Sequence, residues 1–247
     1  MREIFKRVEK DGTSFFIEIA MDVGEYKSNF PWLLSVFVKY DGLDESSQAY
    51  EEFLETKESL IIGIEYEDKA KYLGMRVVDG WSEFYFCASD SKELNAMVTA
   101  MLKDTGYAYE SNIIKDKKWN FYETQLFPSE LELAHIQSDK IIFLLEEEGE
   151  DLTIARDVEH YVSFLTPTQK NRFVNTLDVD GFSVKDEISN EDFEHGIALV
   201  KNHTVTQEEV RKIVSDLFAK VKEEQGFYEG WSTTLVNDIT TDNGEDD

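Results

Sequence analysis

The stretch TQEEVRKIVSDLFAKVKEEQGFYEGWSTTLV, residues 206–236, reads as one amphipathic helix followed by one strand. Thr206-Gln207-Glu208-Glu209 has the form of a capping box, which predicts a helix start at Thr206. Val210, Ile213, Val214, Leu217, Phe218 and Val221 then recur at steps of three and four, so one side of the helix is apolar. Gly226 stops the pattern, and the aromatic and β-branched run Phe227–Val236 reads as a strand.

Working outward from this pair gives a complete unit. Phe193–Asn202 and Phe182–Asp186 read as strands, and Val158–Leu165 as another. Thr166-Pro167-Thr168-Gln169 combines a cap, a first-turn proline and a capping glutamine, opening a helix to about Asp178. The resulting order, β-α-β-β-α-β, is that of a ferredoxin-like sandwich with helices on one face of an antiparallel sheet. A further helix at about Ser138–Glu148 precedes it, carrying Ile141, Leu144 and Leu145.

The N-terminal half reads as strands around two helices. Ser14–Met21, Trp32–Tyr40, Leu60–Tyr66, Tyr72–Val78, Ser82–Ala88 and Trp119–Phe127 are strand-like. Asp79-Gly80 between two apolar runs predicts a tight hairpin. Asp44 is a cap for a helix to about Lys57, and Asp90-Ser91-Lys92-Glu93 is a capping box for a helix that Gly106 ends. At an offset of 75, Val98, Leu102 and Gly106 fall on Phe173, Leu177 and Gly181, and Trp119–Phe127 on Glu194–Asn202, which suggests a shared topology. The predicted fold class is α+β: two antiparallel sheets with helices on one face, the second ferredoxin-like and the first similar. The predicted domains are 1–135 and 136–236, with an acidic disordered tail at 237–247.

Composition narrows the function. The 247 residues carry a formal charge of −27, which repels nucleic acid backbones and anionic membranes and attracts basic protein surfaces. Acidic runs at Glu146–Asp151 and in the tail read first as a solvated helix end and tail, and otherwise as groups that steer such a partner in. No run is long and apolar enough to span a bilayer and the N-terminus lacks a signal-peptide core, so a cytoplasmic setting is expected. Cys87, the single cysteine, reads as a small buried hydrophobe. Phosphate loops, dinucleotide fingerprints, nucleophile elbows and zinc-protease motifs are all missing.

Two features stand apart. Glu159-His160 and Glu194-His195 lie on strands that a ferredoxin-like sheet makes neighbours. They could converge as an acid–base or metal cluster, but spacing suggests no third ligand, and strand alternation that points one residue of each pair to the core and the other to the open face is the preferred reading. In Tyr228-Glu229-Gly230-Trp231-Ser232, a glycine inside a strand and an adjacent Trp form either an interface anchor or a core Trp beside a bulge.

These same residues carry a family resemblance. Ile141–Asp151, Val158-Glu159-His160-Tyr161, Asp180–Val184 and Tyr228–Thr233 resemble RraB, the regulator of ribonuclease E activity B. The resemblance implies a ferredoxin-like fold and an inhibitor that binds the ribonuclease rather than RNA. It departs from the pattern at Tyr161, Glu229 and Ser232. Pro31–Leu34, Glu83–Phe86 and Trp119–Tyr122 resemble the domain of unknown function 695, which implies architecture alone.

The expectation is therefore a regulatory protein-binding module with no cofactor and no metal. Its partner would be a protein, such as a ribonuclease or its basic segment, met through Glu159, His160, Tyr228, Gly230 and Trp231. The alternatives are a hydrolase or metal-dependent enzyme built on the Glu-His pairs, and a structural pair of oligomerising domains.

Overall fold

Phe84, Tyr85, Phe86, Cys87 and Ala88 are all buried. Consecutive strand residues point to opposite faces, so such a run needs cover on both sides. That requirement organises the first part of the computed structural model, which describes residues 1–39, 46–177, 181–189 and 195–236. The chain divides into two compact units, Met1–Phe127 and Pro128–Asp247.

In the first unit, β1 (Arg2–Val8) and β2 (Ser14–Ala20) form a hairpin, followed by β3 (Trp32–Lys39) and α1 (Gln48–Glu65). Then come β4 (Ala70–Val78), β5 (Trp81–Ala88), α2 (Leu94–Leu102) and β6 (Tyr109–Lys115). The six strands lie in the order β1-β2-β4-β5-β3-β6, all neighbours antiparallel. Asp79 and Gly80 both take positive φ, at 49° and 76°, so the predicted hairpin turn is present between β4 and β5.

The second layer of cover on β5 is the segment expected as a strand, Trp119–Phe127, and here the expectation is corrected. Tyr122–Leu126 is a π-helical turn. Asp116 starts the segment by accepting bonds from the amides of Asn120 and Phe121, both at 2.9 Å. Phe121 then lies with its ring 4.3 Å from that of Tyr85, and Tyr122 donates to the Ala20 carbonyl at 2.7 Å. The aromatic residues mark burial, and strand propensity measures burial as much as backbone preference.

Three further expectations change. Leu60–Tyr66 is not a strand, because Phe53, Leu60, Ile61 and Ile64 lie buried on one face of α1 through Glu65. The Asp44 cap lies outside the described residues, and Ser47 caps α1 by accepting from the Tyr50 amide at 3.2 Å. The Asp90 capping box does not form: Asp90 accepts from the Lys92 amide in a turn, and Glu93 enters α2 with φ of 64°. Strand β1 has no counterpart among the elements expected from the sequence.

The second unit opens with α3 (Glu130–Glu147), eight residues earlier than the helix predicted from Ser138. A reciprocal capping box, Ser129 with Glu132, fixes that start. Next come β7 (Arg156–Phe164), α4 (Pro167–Val174), β8 (Ser183–Ile188), β9 (His195–His203), α5 (Gln207–Glu223) and β10 (Phe227–Thr233). The sheet order β10-β7-β9-β8, antiparallel throughout, is the ferredoxin-like arrangement. Thr166 caps α4 as predicted, whereas the Thr206 side chain makes no cap bond to α5.

All three helices lie on one face. Val158 and Trp231 pack with Ala134, Ile142 and Leu145 of α3 and Val210 and Val214 of α5. Val162, Phe164 and Leu199 pack with Phe173 of α4 and Leu217 and Val221 of α5. The offset-75 echo holds locally: Val98 and Phe173 are both fully buried, and Gly106 and Gly181 both take positive φ. It ends at Trp119–Phe127. The stretches 178–180, 190–194 and 237–247, with the predicted tail, lie outside the described residues.

Candidate functional site

Strand β7 alternates, with Val158, His160 and Val162 on the helix side and Glu159 and Tyr161 on the other. Its neighbour β9 runs antiparallel with Leu199 opposite His160 and His195 opposite Phe164. The described side-chain contacts of His160 are to Tyr228, His203 and Phe182 and none is to His195, so these two imidazoles do not converge. Glu194 lies outside the described residues. Among the described residues, no three His, Cys, Asp or Glu side chains group to hold a metal ion.

His160 instead meets His203, from the far end of β9. Their Nε2 atoms are 3.2 Å apart, and His160 Nδ1 is 2.9 Å from the Tyr228 hydroxyl. His203 Nδ1 lies 2.6 Å from the Thr204 carbonyl oxygen. A carbonyl only accepts, so His203 carries its proton on Nδ1 and offers Nε2 as an acceptor. His160 must then donate from Nε2, leaving its Nδ1 to accept from the Tyr228 hydroxyl. The chain Tyr228→His160→His203→Thr204 is thus fully ordered with both rings neutral.

Burial explains the neutrality. The His160 side chain is 0% exposed, and desolvation, helped by His203 and Lys201, pushes its pKa down to about 3. The His203 pKa is also lowered, first by desolvation. Burial raises the Tyr228 hydroxyl well above the ordinary tyrosine range. His203 pairs with Arg156 and lies four residues beyond Leu199, so no spacing in the sequence marks it as the partner of His160.

Trp231 sits beside this chain, opposite His160 across β10 and β7. It is 4% exposed, and its indole N–H donates to Ser138 Oγ at 3.0 Å. Neither the Trp231 indole nor the His160 ring can touch a docked partner in this conformation, so as direct contacts both are corrected to core positions. Gly230 explains the strand's odd composition. It lies at a β-bulge with φ of 122°, and a Cβ there would meet nothing within 4 Å. Its role is conformational, since L-residues rarely adopt that φ.

The helix-free face carries Glu159, which takes an ion pair from Lys185 at 2.5 Å. Tyr161 and Ser232 join by their hydroxyls at 2.8 Å on the same face. Asp157 accepts from Asn202 on this face. The bulged Glu229, exposed at the edge of the sheet, accepts from Ser163 at 2.5 Å. This surface is polar and mainly acidic. In the first unit, Cys87 is buried and its thiol is pushed up to about 12 by desolvation, as fits a packing role.

Comparison with known proteins follows the division into units. Residues 3–127 match the model of the family of unknown function DUF695, and residues 135–233 match that of the regulator of ribonuclease activity B, RraB. The second match contains the whole β-α-β-β-α-β unit. No curated protein matches the chain. Among solved structures, a protein of unknown function from Galdieria sulphuraria is 10% identical, covering 83% of this chain and 98% of that one with a TM-score of 0.20. No described helix is long and apolar enough to cross a membrane.

Proposed function

We propose, for a chain that belongs to the DUF695 family and carries an RraB-type second unit, that this second unit is a regulatory protein-binding module acting on an RNA-degrading enzyme. The observation that carries the reading is the RraB match across residues 135–233, which includes every strand of the four-stranded sheet. The net charge of −27 supports a protein rather than a nucleic acid partner. The expected setting is the cytosol.

In this reading the sequence-selected residues divide by depth. Glu159 and Gly230, both partly exposed, are taken as the partner contacts, while the half-buried Tyr228 supports them through its bond to His160. His160 and Trp231 hold strand β10 from beneath. The test is a ribonuclease assay with the purified chain and the RNA-degrading enzyme that co-purifies with it. Saturable change in RNA turnover, with no RNA cleavage or binding by the chain alone, is the expected result. Unchanged turnover at saturating concentration would contradict the reading.

A further inference from the structure

Strand β10 is an edge strand, and a cleft of about 250 Å³ opens between its first residues and helices α3 and α5. Phe218, Phe227 and Tyr228 supply aromatic walls, with Glu130, Glu229 and Lys222 among the charged groups lining it. The cleft already holds a cation of its own. The Lys222 ammonium lies 5.3 Å from the Phe218 ring centre and 4.9 Å from that of Phe227, and it pairs with Glu130.

That arrangement is chemically specific but weakly held. Aromatic faces attract cations through their quadrupole. Two carboxylates at the lining bias the site toward positive charge and against phosphate. The Glu130 side chain is 66% exposed, so its pair with Lys222 gives little on its own. Phe227 is 41% exposed, an aromatic left open beside the Gly230 bulge. The volume suits one or two long side chains and is too small for a helix.

We propose that this cleft receives an arginine or lysine side chain from an extended segment of a protein partner. The incoming cation takes the place of Lys222 against Phe227, and Glu130 and Glu229 accept its hydrogen bonds. Arginine fits best, because its planar group stacks on a ring while its edge donates to carboxylates. The proposal rests on the reading of the second unit as a protein-docking module.

The test uses the full chain and a short blocked peptide, Ser-Arg-Ser-Arg-Ser, with its glutamate counterpart as control, followed by amide and ring resonances. Saturable shifts at Phe218, Phe227 and Tyr228 with the arginine peptide alone are expected. Phe227→Ala should weaken binding about two- to fivefold, and Lys222→Met should tighten it by a similar factor. Glu229→Gln, which keeps an acceptor for Ser163, should weaken it. Should Phe227→Ala lose its folded spectrum, the Lys222 and Glu229 variants carry the test. Shifts confined to other surfaces, or tightness unchanged in Lys222→Met and Glu229→Gln, would overturn the proposal. A ribonuclease regulated equally by wild type and both variants would also overturn it while leaving the regulatory reading intact. A peptide that seats in the cleft of a chain without effect on ribonuclease would do the reverse.

Discussion

The neutral tautomer of His160 is dictated from both ends of its ring. With the Thr204 carbonyl fixing His203, nitrogen NMR should find His160 protonated at Nε2 and His203 at Nδ1; the opposite pair would break the chain. Tyr228→Phe removes the only donor to His160 Nδ1 among its described contacts, at an expected cost of about 1–3 kcal/mol by denaturant unfolding. The pH dependence follows from the lowered pKa. As pH falls below about 6.5 the unfolded imidazole takes a proton while folded His160 does not. Its stabilising contribution is complete above that pH and is lost progressively toward pH 3. Between pH 6 and 5, wild type should lose stability more steeply than His160→Gln, by about 1 kcal/mol per pH unit. Parallel urea midpoints would contradict this. Trp231→Ala is expected to cost about 3–5 kcal/mol as a core truncation, with Ser138 losing its donor. The tryptophan's type and neighbours in sequence fit an interface anchor equally well; only the pairing of β10 with β7 turns it inward.

At the level of elements, legibility followed the strength of local signals. Thr166 with Pro167, the periodic face of α5 and the Asp79-Gly80 turn each encode one outcome in adjacent residues, and each formed. Leu60–Tyr66 and Trp119–Phe127 are short apolar runs whose period is ambiguous, and both were settled by what they cover. The reciprocal cap is encoded in Ser129 and Glu132, while the sequence reading begins this helix only at Ser138, where its apolar residues Ile141, Leu144 and Leu145 recur. Gly230 is an element-scale device: it allows the bulge that resets the register between Tyr228 and Gly230. Gly230→Ala has open space for its methyl, so its cost should be conformational alone, about 1–3 kcal/mol by thermal or urea unfolding. A neutral substitution would show that the bulge can form without a glycine.

For the molecule as a whole, charge is the property that sequence states most directly and structure distributes. A surplus of 27 negative charges favours fast capture of a basic surface and disfavours RNA. Close contacts then decide affinity, so raising salt should slow association more than it speeds dissociation. What the sequence could not convey is which surface meets the partner, because that depends on the long-range pairing of β7 with β9 and β10. The central claim is that the RraB-type unit regulates an RNA-degrading enzyme by binding protein. The most direct measurement is surface-immobilised binding of the purified chain, in parallel, to that enzyme and to RNA at physiological ionic strength. Saturable capture of the enzyme with no detectable RNA binding is predicted. Tight RNA binding without enzyme capture would contradict it.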